Sequence, residues 1–312
     1  MKEKIDIRNI SVEELQKFCK DNNLPKFRAK QVEEWLWKKG ATSFAEMTSL
    51  SKEMRDLFTV HFVINSVKIH KAERSIDGTI KYSMKLHDNQ LVEGVLIPSK
   101  KRITACISSQ VGCSLDCAFC ATGTLKLERN LTAAEIYDQV FILNEESISS
   151  FGKSLSNIVY MGMGEPLMNR KALHPSLTIL NQGYGVGARR ITVSTVGVVP
   201  GILELAEREE QFRLAVSLHA PNDELRSQIM PINNKYPISE LLRSVQGYMD
   251  SLADKRVPVI EYTMIKGVND HRAHARELAT LLREFPCKIN IIPFIIYNST
   301  FFSFIVIIIY IN

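Results

Sequence analysis

The stretch "CISSQVGCSLDCAFCATG", residues 106–123, organises the chain, because it holds four of its six cysteines. Three of them, Cys113, Cys117 and Cys120, follow the spacing C-x3-C-x2-C. A structural zinc site needs four ligands, usually as two separated pairs, and the sequence has no second C-x2-C pair. Three thiolates suit an iron–sulfur cube with one open iron, which a small molecule can chelate through an amine and a carboxylate. The alternative, three unrelated buried cysteines, is disfavoured because cysteine is so sparse elsewhere in the chain.

The sequence around this stretch alternates between strand-like and helix-like patterns. Six strand-like runs follow one another: ITACISS (103–109), NIVYMGMG (157–164), RITVSTVG (190–197), FRLAVSLHA (212–220), PVIEYTMI (258–265) and KINIIPF (288–294). Helical patterns lie between them, beginning at the capping box of Thr132 and Glu135 and continuing near 170–183, 200–210, 238–253 and 270–284. Strands alternating with helices predict a parallel sheet, so we expect an α/β fold with a partial (β/α)6 barrel over residues 102–294.

Polar or unusual residues cluster where these strands end. They are Gly164 and Glu165, Ser194 and Thr195, and Ser217 and His219. Barrel enzymes carry their active sites at the carboxyl ends of the strands, and the cysteine loop also follows a strand. The pattern therefore predicts one site that combines the cysteines with these strand ends.

The segments outside the predicted barrel differ in pattern. Residues 1–65 are expected to form a small helical domain, with a capping box at Ser11 and Glu14. Residues 66–101 carry short alternating runs such as LVEGVLIP and predict a β linker. Residues 295–312 form an uncharged apolar tail. We therefore expect four segments, and we interpret the first as RNA-binding.

Composition narrows the class of protein. The 312 residues are 45% hydrophobic, which is enough for a large core, and the net charge of +5 permits a polyanionic partner without requiring one. Few cysteines and no secretory pattern at the start argue against a disulfide framework. The sequence predicts a cytoplasmic protein with reduced thiols and no membrane partner.

Five motifs resemble one known family. They are SSQVGCSLDCAFCATG, MGMGEPLMN, RRITVSTVGVVP, SLHAPNDELR and PINNKYPI. In this order they closely resemble the bacterial dual-specificity RNA methyltransferases of the radical S-adenosylmethionine (SAM) superfamily, and the resemblance extends to about Phe294. It implies methylation of C2 of an adenine in 23S rRNA, at the peptidyl transferase centre, and in tRNA at position 37. The sister family that methylates C8 of the same ribosomal adenine shares much of this pattern and remains an alternative.

The resemblance also implies cofactors and binding residues. It implies a [4Fe-4S] cluster on Cys113, Cys117 and Cys120, and S-adenosyl-L-methionine as the second cofactor. The residues implied to bind S-adenosyl-L-methionine are Gly164, Glu165, Ser194, Ser217, Leu218 and His219. A reductant such as flavodoxin is the implied electron source, and the protein is expected to act as a monomer.

Two further residues match catalytic positions of the family. Glu93, in LVEGVLIP, matches the proton acceptor, and methylation at C2 does require loss of the hydrogen there. Cys106 matches the cysteine that closes a transient disulfide and releases the product. From the sequence alone, a solvent-facing strand residue is the favoured interpretation of Glu93. Cys106 could equally be a small apolar residue of the barrel.

The C-terminal end departs from the family pattern. The family continues with an asparagine that contacts the cofactor and with a segment bearing a cysteine that carries the methyl group; here the asparagine position is Ile295, and no cysteine follows Cys287. A frameshift or truncation is the favoured explanation, and a membrane anchor is the alternative, because residues 294–312 approach the length of a spanning helix. Without that cysteine, the chain is expected to cleave SAM without methylating RNA. The alternative hypothesis is that the chain is an RNA-binding remnant without catalysis.

Overall fold

The computed structural model describes residues 4–254 and 256–294. In these ranges it has ten α-helices: α1 Val12–Asp21, α2 Phe27–Trp37, α3 Lys52–His61, α4 Ala121–Thr124, α5 Ala133–Phe151, α6 Arg170–Thr178, α7 Val199–Ala206, α8 Asp223–Ile229, α9 Ile238–Ser251 and α10 Arg272–Leu281. The strands are β1 Ile5–Asp6, β2 Phe62–Val63, β3 Lys68–Arg74, β4 Ile80–Lys85, β5 Leu91–Pro98, β6 Ile103–Cys106, β7 Gln110–Val111, β8 Arg129–Asn130, β9 Asn157–Tyr160, β10 Ile191–Thr195, β11 Arg213–Ser217, β12 Val259–Met264 and β13 Lys288–Pro293.

The chain divides into two compact units, each built from several segments. The first, unit 1, comprises Met1–Ser108, Asn130–Ile158 and Lys171–Gly187. The second, unit 2, comprises Ser109–Arg129, Val159–Arg170 and Ala188–Asn312. The predicted cluster ligands and cofactor-binding residues all belong to unit 2, whereas Glu93 and Cys106 belong to unit 1.

The N-terminal part of unit 1 is a helical layer around its own apolar core. The capping box of Ser11 and Glu14 starts α1 as the sequence predicts, and Ser51 caps α3. Apolar residues of the three helices, among them Val32 and Phe58, are fully buried in this core. The purely helical expectation is wrong at one point, because β1 and β2 pair in parallel at the two ends of this region. Two-residue strands carry too little periodicity to be recognised in a sequence.

The predicted β linker is an antiparallel meander in which β3, β4, β5 and β6 are neighbours in that order. Its turns lie at the SIDG and HDNQ sequences, as expected. Alternate residues of β4 are buried, which is the period-two pattern of a sheet with one covered face. β3 is exposed along its whole length and forms the edge of the sheet. This meander carries both Glu93 and Cys106.

Unit 2 contains the parallel part of the fold. Strands β10, β11, β12 and β13 pair side by side in parallel, with α7, α8, α9 and α10 in the connections between them. Such connections are required because parallel strands cannot be joined by a tight turn. The expected α/β class is confirmed. The strands end earlier than the sequence runs suggest, because Gly164 and His219 have left-handed backbone angles, with φ of 91° and 55°, and turn the chain out of the sheet.

Most predicted helices are present with shifted ends. The capping box of Thr132 and Glu135 starts α5, and the helix predicted for 200–210 ends at Ala206. The sequence interpretation missed α8, which is capped by Asn222. Within the described ranges no helix combines the length and the apolar character needed to cross a membrane. Residues 295–312, to which the frameshift and anchor hypotheses refer, lie outside the described residues.

Candidate active site

The three cysteines lie on a loop of unit 2 that is closed at its neck. The backbone N–H of Cys113 donates to the carbonyl of Leu125 at 3.3 Å, and the N–H of Glu128 donates to Val111 at 3.0 Å. Gly112 has a φ of 75°, and a Cβ atom there would lie 2.0 Å from the carbonyl oxygen of Lys126. Only glycine allows the two sides of the loop to approach this closely.

The same loop is fastened to the strand ends of unit 2. The N–H of Ala118 donates to the carbonyl of Ile229 at 2.9 Å. The rings of Phe119 and His219 meet edge to face, with centroids 4.7 Å apart. Cys117 packs in an apolar cluster that includes Ala220 and Ile229. The structure therefore joins the cysteine loop to the turn after β11, as the sequence predicts.

The thiols occupy a desolvated, negatively biased environment. Burial, with the nearby Cys120 and Cys113 sulfurs adding to it, raises the pKa of Cys117 to about 12. Burial is also the main cause that raises the pKa of Cys113, and Cys120 and Glu165 contribute. Thiolates so close together are stabilised only by a cationic group, because each one disfavours ionisation of the next.

The donor type of this loop suits an iron–sulfur cluster. In an iron–sulfur cube each cysteine binds a different iron, so the ligands surround a larger group than one ion. Three soft sulfur donors that influence one another's ionisation are the ligands that such a cube takes.

Glu165 is a buried carboxylate held at the end of β9. Its two oxygens accept the N–H groups of Leu167 at 3.0 Å and of Val196 at 2.9 Å. Burial raises the pKa of Glu165 to about 7, although these hydrogen bonds oppose the shift. The preceding Gly164 packs against Gln110, whose Oε1 accepts the N–H of Glu165 at 2.9 Å. A positively charged ligand group would stabilise the ionised form of this carboxylate.

A row of polar side chains crosses one face of the parallel sheet. Ser194 is paired with Ala215, and Ser217 lies two residues further along the same strand and is paired with Glu261. Asn290 is in turn paired with Glu261 and donates to its Oε2 at 2.6 Å. Paired residues, and residues two apart on one strand, project from the same face. Ser194, Ser217, Glu261 and Asn290 therefore share that face, and the last two were missed by sequence analysis.

His219 is fixed as a neutral ring. The N–H of Thr263 donates to its Nδ1 at 2.9 Å, and its own carbonyl accepts from Asn269 at 2.7 Å. Burial, with a contribution from the charge of Arg226, lowers the pKa of His219 to about 3. A neutral ring that accepts at Nδ1 carries its proton on Nε2. Nε2 forms no hydrogen bond in the part of the chain that the structure describes, so it can donate to a ligand.

Arg226 supports the turn that presents these groups. It is completely buried and its Nε donates to the carbonyl of Leu218 at 3.2 Å. Its Nη2 donates to the carbonyl of Val196 at 2.6 Å, and its Nη1 to Oδ1 of Asn233 at 2.9 Å. The Leu218 side chain is itself fully buried. We therefore expect this residue to contribute its backbone, and not its side chain, to a ligand site.

Glu93 and Cys106 lie together in unit 1. Cys106 is paired with Val95, so it shares a face of the meander with Glu93, two residues before Val95. Lys81 is also paired with Val95, and its Nζ lies 2.8 Å from Oε1 of Glu93. Exposure of the two charged side chains is only 17% and 24%. The sequence did not indicate Lys81, because an alternating strand carries no sign of which charged residue lies opposite.

Comparisons with known proteins agree with this arrangement. Residues 107–279 match the family described as the Radical SAM superfamily, and residues 5–64 match the ribosomal RNA large subunit methyltransferase N-terminal domain. A probable dual-specificity RNA methyltransferase RlmN of Flavobacterium psychrophilum is 46% identical over 94% of this chain and 84% of its own length. A dual-specificity RNA methyltransferase RlmN of Marinobacter nauticus is 44% identical over 94% of this chain and 80% of its own length.

A solved structure is also similar. The crystal structure of a radical SAM methyltransferase from Sphaerobacter thermophilus has a TM-score of 0.85 and 41% sequence identity, and the match covers 93% of this chain and 85% of that one. The similarity spans both units of the chain. Together with the matches above, it shows that this chain belongs to the dual-specificity RNA methyltransferase RlmN family of the radical SAM superfamily.

Proposed function

We propose that the chain methylates C2 of an adenine in 23S rRNA and in tRNA, using S-adenosyl-L-methionine and a [4Fe-4S] cluster held by Cys113, Cys117 and Cys120. The observation that carries the proposal is the loop of three mutually interacting thiols fastened to the strand ends that present Glu165 and His219. RNA as the substrate is inferred from the similar proteins, which are named as dual-specificity RNA methyltransferases. We infer a cytoplasmic location, where these RNAs are found.

Several groups at the strand ends would each bind a different part of S-adenosyl-L-methionine. Glu165 offers a carboxylate to the ammonium, and Gly164 allows close approach of the backbone. Ser194 and Ser217 offer hydroxyl groups from one face of the sheet, and neither side chain forms a hydrogen bond within residues 4–254 and 256–294. His219 offers its Nε2 proton to an oxygen of the ligand. These roles account for a row of polar groups on a face that would otherwise be apolar.

The reactivity of the target carbon explains why the proposed reaction needs an iron–sulfur cluster. C2 of adenine is electrophilic and does not accept a methyl cation, so the bound cluster and cofactor would supply one-electron chemistry in its place. Glu93 is placed by Lys81 as a carboxylate that can take the proton displaced from C2. Cys106 lies half-buried on the same face. It matches the family cysteine whose thiol pairs transiently with the methyl-carrying cysteine to release the product; that second thiol would have to be supplied, because no cysteine follows Cys287.

Mass spectrometry of digested RNA tests the proposal. The chain is reconstituted anaerobically with iron and sulfide, reduced, and supplied with S-adenosyl-L-methionine and unmodified 23S rRNA or tRNA. In every methylation assay the reference chain carries an added C-terminal segment with the methyl-carrying cysteine of the family, because no cysteine follows Cys287. We expect 2-methyladenosine with this reference chain and none when it carries Cys117→Ala, which removes a cluster ligand. Cys287→Ala is the matched control, because Cys287 lies outside the cysteine loop, and this variant should keep its product.

Other products would separate the alternatives. Formation of 8-methyladenosine would transfer the proposal to the sister reaction. Cleavage of the cofactor to 5′-deoxyadenosine with no methylated RNA, in the reference chain that carries the added cysteine, would contradict the proposal. The same result without the added segment is the expectation stated from the sequence. Full iron content in Cys117→Ala would show that the ligand assignment is wrong.

A further inference from the structure

Unit 1 contains a polar cleft that the proposed reaction does not use. Its volume is about 380 Å³. Its polar lining consists of Asn65, Ser66, Lys68, Lys85, His87 and Asn89. Among the described residues, no carboxylate lines it. The cleft lies between the segment that follows β2 and the end of the meander where β3 begins and β4 turns into β5.

Two lysines face each other at the cleft. Lys68 on β3 and Lys85 on β4 are directly opposite in the antiparallel register. Like charges in that position are about 4.5–5.5 Å apart at their Cα atoms and destabilise the pair. Neither ammonium forms an ion pair within the part of the chain that the structure describes. Further along the same hairpin the register is complementary, because Lys81 is opposite Glu73. An anion between Lys68 and Lys85 would remove their repulsion.

The floor of the cleft is held in place by a buried ion network. Arg8 donates to Asp138 at 2.7 Å, to Asp6 at 3.0 Å and to the carbonyl of Asn65 at 2.9 Å. The N–H of Asn65 donates back to Asp6, and the N–H of Val67 donates to Asp138, both at 3.0 Å. Both ends of the segment from Asn65 to Val67 are thus tied to buried charges. The cleft is a prearranged surface and not the gap left by a loose loop.

A histidine lies beside the lysines. His87 follows the β4 strand, and its Nδ1 lies 3.5 Å from Oε1 of the buried Glu135. Beyond the cleft, the exposed edge strand β3 continues with Lys71 and Arg74. Positive side chains are therefore spread along an edge, which matches a polymer of phosphates better than a single small anion.

We propose that the cleft of Lys68 and Lys85 binds the phosphate backbone of the RNA substrate and fixes its register on unit 1. This inference rests on the proposed function, which supplies the RNA. Lysine ammonium groups bind phosphate as point charges, and Asn65, Ser66 and Asn89 add polar partners for phosphate or ribose oxygens. Such contacts raise affinity without reading the bases.

A competing explanation is that lysines on an edge strand only prevent sheet-to-sheet association. This role explains charge on β3, but it does not explain a lysine at the same register position on β4, or the polar cleft beneath the pair. The two explanations predict different results when the charges are removed. Phosphate binding by the cleft predicts weaker RNA binding. Protection of the sheet edge predicts self-association with RNA binding unchanged.

The test compares the variant Lys68→Gln/Lys85→Gln with the unaltered reconstituted chain. Binding of a fluorescein-labelled tRNA transcript is measured by anisotropy over a series of potassium chloride concentrations. We expect the Kd to rise about tenfold at low salt and the slope of log K against log salt to fall by about 2, one for each lost phosphate contact. Lys68→Arg/Lys85→Arg should restore both. At saturating RNA, the kcat for methylation should be unchanged.

The matched control is Lys153→Gln/Lys171→Gln, which removes the same charge from exposed positions of unit 1 outside the segment interpreted as RNA-binding. It should leave the slope within about half a unit of the unaltered value. An equal loss in this control, or an unchanged slope in the cleft variant, would overturn the proposal. Failure of the unaltered chain to bind the tRNA would instead count against the proposed function, because the comparison of variants depends on binding and not on turnover. Melting curves of all variants verify that they fold.

Discussion

At the scale of single residues, the meander places a cation beside the proposed base. Lys81 and Glu93 come from adjacent strands, and both are paired on the face that also bears Cys106. The pair is largely shielded from water, so its geometry is better defined than that of an exposed ion pair. We infer that Lys81 acts through Glu93 by holding its carboxylate correctly turned.

Replacing Lys81 by Gln should separate this positioning role from a purely structural one. We expect kcat for methylation to fall about tenfold with little change in KM for RNA, because the base is misplaced while the RNA surface is intact. The free energy of unfolding should change by less than about 1 kcal/mol, as for other partly exposed ion pairs.

Lys71→Gln is the matched control for Lys81→Gln. Lys71 pairs with Glu73 on the same hairpin, but both side chains are more than half exposed. This variant should keep kcat, and Lys81→Arg should recover most of the activity of the unaltered chain. A kcat for Lys81→Gln equal to that of the unaltered chain would show that Lys81 has no part in positioning Glu93.

At the scale of elements, the cysteine loop is held closed at its neck. The loop spans two close backbone contacts, and Gly112 lies against the Lys126 carbonyl where no side chain fits. A glycine with positive φ is needed here for two reasons, its backbone angle and the space. The neck determines whether the three thiols are held in one region or spread along a flexible segment.

Gly112→Ala should therefore reduce cluster assembly while the fold of both units persists. A methyl group 2.0 Å from the Lys126 oxygen forces the neck open, and the hydrogen bond from Cys113 to Leu125 is lost with it. We expect iron and sulfide after anaerobic reconstitution to fall below half of the amount in the unaltered chain. Chemical iron and sulfide assays measure this directly.

The comparison for Gly112→Ala is Gly152→Ala. Gly152 also has positive φ, 66°, but a Cβ there would meet nothing within 4 Å. The control should lose about 1 kcal/mol of stability from backbone strain and no iron. A full iron complement in Gly112→Ala would mean that the neck can open without affecting the cluster ligands.

At the scale of the whole molecule, buried carboxylates on the polar face of the parallel sheet make the stability of the folded protein depend on pH. Glu261 is 7% exposed, and burial raises its pKa to about 7, with the hydrogen bond from Asn290 opposing the shift. The folded state therefore binds the Glu261 proton more tightly than the unfolded state does. Stability from this group is fully present below about pH 4.5 and is lost as the pH rises to about 7. Glu165 acts in the same direction.

Glu261→Gln should remove the part of this pH-dependent loss of stability that comes from Glu261. The amide keeps an oxygen for Asn290 and cannot ionise, so the variant should gain about 2–3 kcal/mol relative to the unaltered chain between pH 4.5 and pH 8. Urea unfolding at a series of pH values measures the difference. Glu209→Gln, at an exposed position of unit 2, should run parallel to the unaltered chain. A constant difference between Glu261→Gln and the unaltered chain at all pH values would contradict a titrating Glu261.

Local signals in the sequence were sufficient for a large part of this protein. The capping boxes at Ser11 and Thr132 start helices because side chain and backbone pair within four residues, and the alternation of strands and helices predicts the parallel sheet of unit 2. The spacing of Cys113, Cys117 and Cys120 predicts the cluster loop for the same reason, since the ligands are near neighbours in the chain. The family resemblance added roles for Glu93 and Cys106 that no local pattern provides.

The remaining features depend on pairings between distant segments, which only the tertiary structure decides. Lys81 lies beside Glu93, Glu261 beside Asn290, and Lys68 opposite Lys85 because of strand register, and register is set by the packing of the whole sheet. The neutral state of His219 likewise follows from burial and the charge of Arg226, and its tautomer from an N–H of β12, 44 residues further along the chain. A sequence specifies which groups are available, but burial and cross-strand neighbours set their charge and direction, and these follow from long-range packing that no short stretch of residues encodes.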